Sequence, residues 1–142
     1  MSNLKQFFIR LISPGKIPAE TKAQLNEEGL LLMEERVWTS VIFRDFKAKG
    51  RRYSYRHSLT LGSFAMTELR IVGFSFSKTI INIPYNFPQF TSVQFLILKN
   101  RYLCSSFDVS IFNPEQSGKV ELRFRLPDPG KAMDIISSRN PS

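Results

Sequence analysis

The sequence predicts a mostly-β fold, an antiparallel barrel or sandwich with one or two short helices before its first strand and a helix after its last. Three observations predict it. The stretch 59–76, LTLGSFAMTELRIVGFSF, is rich in β-branched, aromatic and glycine residues that disfavour helix, and it alternates with a period of two. About seven short apolar runs are separated by tight polar turns, the spacing of an antiparallel meander. After the last run, Asp128 and Pro129 open a segment in which Ala132, Ile135 and Ile136 form an i, i+3, i+4 stripe.

The N-terminal residues Leu4, Phe7, Phe8, Leu11 and Ile12 fall on one face of a short helix that Ser13-Pro14-Gly15 ends. So short a helix is marginal in water and has to dock somewhere. It can pack on the domain or on a second subunit, or lie in a membrane interface through Leu4, Phe7, Phe8 and Leu11. A second helix is expected over 18–28, with Pro18 at its start and Gly29 just past its end. Its apolar content is thin (Ala19, Ala23, Leu25), which places it on the surface.

Strands follow. Residues 30–33 are a compact apolar run, and 37–46 and 51–61 read as a hairpin turned at Lys47-Ala48-Lys49-Gly50. In the stretch 59–76, Leu59, Leu61, Phe64, Met66, Leu69, Ile71, Phe74 and Phe76 supply apolar bulk. Ser63, Ala65 and Thr67 alternate with Phe64 and Met66 on the wet face, and 67–70 is the turn between two strands. Further strands are expected over 79–84, 93–99, 102–109 and 119–126, with loops at 85–91 and 113–118. In the last strand Val120, Leu122, Phe124 and Leu126 share one face. Phe64, Phe74, Phe76, Phe95, Phe107, Phe112 and Phe124 are core candidates. The terminal helix is expected over 129–138, with Ser137–Ser142 as a frayed tail.

The chain has 142 residues, which suits one folding domain that needs no staples. Its single cysteine, Cys104, lies in an alternating apolar run and reads as a small buried thiol. With no disulfide framework, a reducing, cytoplasmic setting is expected. No apolar run approaches the roughly 20 residues of a membrane span, and the N-terminus does not read as a secretory signal. The formal net charge of +8 favours anionic partners, either nucleic acid or an acidic membrane surface.

Enzyme chemistry finds little support. His57 is the only histidine, no ligand spacing for a metal is present, and no glycine-rich phosphate loop occurs. Glu34 and Glu35 are adjacent and would face opposite sides of a strand. No catalytic residue, metal or cofactor is therefore expected.

The segment 44–56 is the functional candidate. It carries Arg44, Lys47, Lys49, Arg51, Arg52 and Arg56 against the single acid Asp45. It can be a solubilising tip, or Lys47, Lys49, Arg51, Arg52 and Arg56 can converge on phosphate. Tyr53 and Tyr55 interleave with these cations, a mixture that also suits single-stranded nucleic acid, although no RNA-recognition signature is present.

The run Gly62-Ser63-Phe64-Ala65-Met66-Thr67-Glu68-Leu69-Arg70-Ile71-Val72, and the last strand followed by a helix, resemble the pleckstrin-homology-like superfamily, in particular its small bacterial and GRAM-like domains. The resemblance covers roughly residues 30–138 and divides the chain into an N-terminal helical extension, 1–29, and a barrel with its C-terminal helix and short tail, 30–142. It implies a bent seven-stranded antiparallel barrel plugged by that helix, with no catalytic activity. It further implies binding to phosphoinositides, peptides or other proteins, and Lys47, Lys49 and Arg51 match the basic K-x-K-x-R pattern of its lipid-binding members. A non-enzymatic adaptor is expected, cytoplasmic or peripheral to a membrane. Its partner is a protein or an acidic phospholipid surface, with nucleic acid the alternative and self-association open.

Overall fold

The computed structural model describes residues 15–76 and 78–139. The expected helix carrying Leu4, Phe7, Phe8, Leu11 and Ile12 lies outside the described residues. The chain runs α1 (Ala19–Glu27), β1 (Leu30–Ala48), β2 (Arg51–Thr67), β3 (Arg70–Ser75), β4 (Lys78–Pro84), β5 (Gln94–Leu98), β6 (Tyr102–Asp108), β7 (Ser117–Arg125) and α2 (Pro129–Arg139). The strands form a seven-stranded sheet of order β4-β3-β2-β1-β7-β6-β5. The pairs with a defined register are all antiparallel. The fold is mostly β with a C-terminal helix, as the alternation in the sequence predicts.

The contacts divide the chain into two units, residues 15–38 with 60–85, and residues 39–59 with 86–139. In the first, Ile17, Leu25, Ala65, Val72 and Phe74 form a buried cluster, with Leu30 and Met33 packed against it. The apolar-poor helix α1 is therefore not a purely surface element, because Leu25 is fully buried. A charged latch fixes its end. Arg70 Nε and Nη2 donate to Glu28 Oε1 and Oε2, both at 2.9 Å, the fork geometry that makes such pairs strong. Thr67 Oγ1 donates to Glu28 Oε1 at 3.0 Å and accepts from the amides of Leu69 and Arg70. The turn expected at 67–70 is present, and a threonine hydroxyl holds it.

Several expectations are corrected here. Residues 30–33 and 37–46 belong to one long strand, because Arg36 takes a left-handed φ of 56° that bends β1 without ending it. The whole run 62–67 is buried, so Ser63, Ala65 and Thr67 have no wet face. Leu59 and Leu69 are exposed, as are Phe76, at a left-handed turn position after β3, and Phe112. Phe95 is half-buried, whereas Phe64, Phe74, Phe107 and Phe124 are core residues as expected.

In the second unit, Val120, Leu122, Phe124 and Leu126 are all buried, and Cys104 is buried beside them in sequence register with Arg123. Burial pushes the Cys104 thiol up from its ordinary value, as for an inert packed cysteine. Asp128 caps α2 by accepting from the Lys131 amide at 3.2 Å. The helix packs on β5 and β6 and runs to Arg139, so Ser137 and Ser138 are helical, not tail. Ala132 and Ile136 are its buried anchors; Ile135 is only half-buried.

Two outcomes follow from this packing. Ile136→Asp should lower stability by about 3–5 kcal/mol in urea unfolding, through lost burial and a charge in the core, whereas Ile135→Asp should cost less. The Arg70 hydrogen bonds hold the Glu28 carboxyl below its ordinary value against the opposing effect of burial. A depressed carboxylate contributes stability that is present above the unfolded-state value and is lost as pH falls through the folded one. Glu28→Gln should therefore cost about 2 kcal/mol at neutral pH and flatten the acid limb of a stability profile measured between about pH 6 and pH 2.

Candidate basic hairpin site

The long strands β1 and β2 meet at the two-residue turn Lys49-Gly50, so the basic segment is the first hairpin of the sheet. Phe43, Phe46 and Tyr53 pack together. The Phe43 and Phe46 centroids lie 4.9 Å apart, and Phe46 stacks on Tyr53 at 5.8 Å with planes 17° apart. Rings so arranged add to plain area burial and brace the hairpin tip.

A bulge sets which side chains turn outward. Asp45 takes a φ of 52°, and the β1–β7 register shifts between Arg44 and Lys47. Phe46 is thereby buried while Lys47 is exposed and paired opposite Ser117. The backbone of Gly118 fits against this bulge so closely that a Cβ there would lie 2.5 Å from the Asp45 carbonyl oxygen and 2.6 Å from Phe46 Cα.

The six cations of 44–56 are not equivalent. Arg44 Nη1 donates to Glu121 Oε1 at 3.0 Å, and Arg123 Nε donates to the other oxygen of the same carboxylate. Burial opposes the charged form of Glu121, yet the hydrogen bonds from Arg123 and Arg44 outweigh it and hold its carboxyl below the ordinary range. Arg44 also lies 5.8 Å from the centre of the Tyr55 ring. Arg56 lies 5.0 Å over the Tyr53 ring and donates to its hydroxyl at 2.8 Å. Lys47, Lys49, Arg51 and Arg52 are exposed and make no ion pair among the described residues.

Lys47 and Arg52 flank an open pocket of about 460 Å³ with Phe46 and Tyr53 in its wall, Ser54 and Ser117 at its side, and the acid Asp45 beside them. A second, shallower hollow of about 380 Å³ gathers Lys47, Arg51 and Arg52 with Ala48 and Gly50. The structure thus brings Lys47, Arg51 and Arg52 together; Lys49, in the turn, and Arg56 line neither hollow. Ser54 and Ser117 were not legible as site residues, and Ser117 is 70 positions from Lys47, brought in only by strand pairing. His57 is an exposed strand residue, as expected. Leu4, Phe7, Phe8 and Leu11, the expected docking face, lie outside the described residues.

No protein-family model, no curated protein and no solved structure matches this chain. The hairpin presents cations without ion pairs among the described residues on a braced tip, with hydroxyls and rings beside them. Among the described residues no helix is long and apolar enough to cross a membrane, and no three His, Cys, Asp or Glu side chains are grouped to hold a metal ion.

The bulge yields a direct test. Gly118→Ala should destabilise the chain by about 1–3 kcal/mol in urea unfolding, because both its φ of 113° and its contact with Asp45 exclude a side chain.

Proposed function

We propose that this chain is a non-enzymatic binding domain of the pleckstrin-homology-like kind, and that its basic hairpin contacts an anionic phospholipid surface. The order of seven sheet-forming strands followed by a helix supports the fold half of this reading. The single observation that carries the functional half is the set Lys47, Lys49, Arg51 and Arg52, exposed and without ion-pair partners among the described residues, on a tip braced by packed rings.

The magnitudes fit a surface contact. Each Lys or Arg close to an anionic membrane is worth about 1 kcal/mol, so four supply about 4 kcal/mol before entropy losses. That is weak, reversible and strongly screened by salt. An acidic protein face would use the same cations.

The nucleic-acid reading loses ground on one observation. Stacking of bases needs free aromatic faces, yet Tyr53 is stacked on Phe46 and covered by Arg56. Of the two hairpin tyrosines, Tyr55 is the exposed one, at 59%, and Arg44 lies 5.8 Å from the centre of its ring.

The test is vesicle co-sedimentation of the wild-type chain and of Lys47→Glu/Lys49→Glu/Arg51→Glu. Wild type should sediment with phosphatidylserine-containing vesicles at low salt, not with phosphatidylcholine alone, and the triple variant should fall to background. Equal sedimentation of both proteins, or none by wild type at low salt, would remove the phospholipid reading. Nuclease-sensitive RNA or DNA co-purifying with the chain would restore the nucleic-acid one.

A further inference from the structure

The end of the second unit that carries the cations also carries a stacked aromatic pair, of which one ring is exposed. Lys47 pairs with Ser117, the first residue of β7, and Lys119 pairs with Asp108, the last of β6. The connection 109–116 therefore leaves the sheet at the same end as the β1–β2 turn. β5 begins at Gln94, paired with Ser106 near the end of β6, so the preceding loop reaches that end too.

Phe112 and Phe87 come from these two loops. Their rings are stacked, with centroids 5.2 Å apart and planes 11° apart, and the edge of the buried Phe107 supports Phe112 at 5.0 Å. Phe112 is nonetheless 40% exposed. Its loop is stiff. The Phe112 and Asn113 amides donate to the Val109 carbonyl, the Ser110 amide donates to Asp108 Oδ1 at 2.9 Å, and the Glu115 amide donates to Asn113 Oδ1 at 3.2 Å. A rigid loop thus holds an apolar ring partly in water, at a cost in hydration that burial elsewhere would recover.

The surroundings select the occupant. Lys47, Lys49, Arg51, Arg52 and Lys119 lie at this end, with Asp45, Asp108 and Glu115 as its acids. Asp108 is engaged by the Ser110 amide. Cations beside an exposed aromatic complement an anionic bilayer: charges meet phosphates while the ring enters the headgroup–acyl boundary. We infer that Phe112, backed by Phe87, is a membrane-insertion element that acts with the basic hairpin. The inference rests on the phospholipid reading of that hairpin and adds to it a salt-resistant, apolar component.

The experiment uses the full chain with vesicles of phosphatidylcholine plus phosphatidylserine. Phe112→Ser should bind about three- to eightfold more weakly, the effect of losing the exposed part of one ring. Its residual binding should vanish in high salt, where wild type keeps a measurable fraction. Trp38 is the only tryptophan in the chain, so Trp38→Phe/Phe112→Trp reports depth directly. Its emission should shift to the blue and be quenched by brominated acyl chains. If Phe112→Ser proves poorly folded in a thermal melt, the tryptophan reporter decides alone. Unchanged binding by Phe112→Ser, or an unquenched tryptophan reporter on vesicles that do sediment the protein, overturns insertion and leaves the electrostatic contact standing. Failure of wild type to bind these vesicles overturns both.

Discussion

Two left-handed residues in β1, each faced by a glycine, are the constraint on which the arrangement of the chain depends. β1 runs for 19 residues, and a bulge or a left-handed residue bends such a strand without ending it. β1 bends at Arg36 and at Asp45, with φ of 56° and 52°, backbone states that side-chain-bearing residues seldom adopt. Each bend is closed by a backbone that has no Cβ to clash. Gly15 sits where a Cβ would meet Arg36 Cα at 3.1 Å, and its carbonyl accepts from the Arg36 amide at 2.9 Å. Gly118 is the tighter of the two, against Asp45 and Phe46. The first bend belongs to the unit built on α1, the second to the unit that bears the hairpin. Shifting the side-chain phase at Asp45 sends Phe46 inward and Lys47 outward. The bulge therefore determines which residues of the tip are ring support and which are free charge.

Pairing of charges inside the fold determines where the net charge of +8 appears. Three half-buried acids hold cations: Glu28 holds Arg70, Glu35 holds Lys22, and Glu121 holds both Arg44 and Arg123. Each of these carboxyls is stabilised as an anion, so each pair persists at neutral pH. Such pairs are modest contributors to stability. Their larger effect is spatial, because they neutralise cations on the sheet and leave the hairpin tip uncompensated. A count over 44–56 gives six cations, whereas the geometry leaves four without engagement by a carboxylate or a tyrosine ring among the described residues.

The legible and illegible parts of the chain divide along the range of the interactions involved. Local signals read well. Asp128 caps its helix, the 67–70 turn exists, Lys49-Gly50 closes the hairpin, and Val120, Leu122, Phe124 and Leu126 face the core together. Each depends on residues within a few positions of one another. What failed depended on distant partners. Ser63 and Thr67 look like wet-face residues, but neighbours on both faces bury them; Thr67 even becomes the hinge of the Glu28–Arg70 latch. Phe76 and Phe112 look like core and are exposed, because a ring's burial is set by what faces it and not by its type. Arg36 carries no local sign of its left-handed backbone, and Asp45 only the weak one that aspartate tolerates it, since the glycines packed against them lie 21 and 73 positions away. The basic patch was visible as a charge run, but the partition between engaged and free cations depends on Glu121, 77 residues from Arg44.

The same distinction bears on the proposed surface contact of the hairpin. A charged tip serving solubility alone has no need of order beneath it, and flexible lysines would suffice. Here the backbone under the charges is fixed by a bulge, a glycine contact and three packed rings, against the strain of Asp45. Order of this kind lowers the entropy lost when the cations meet an extended array of phosphates. It also keeps arginine, whose planar fork matches phosphate, at the two positions where β2 begins, Arg51 and Arg52, where the backbone is already committed to strand. A rigid cationic tip is thus a better match to a charged surface than to a solvent-facing loop, and the stiffness of the β6–β7 connection at the same end follows the same logic.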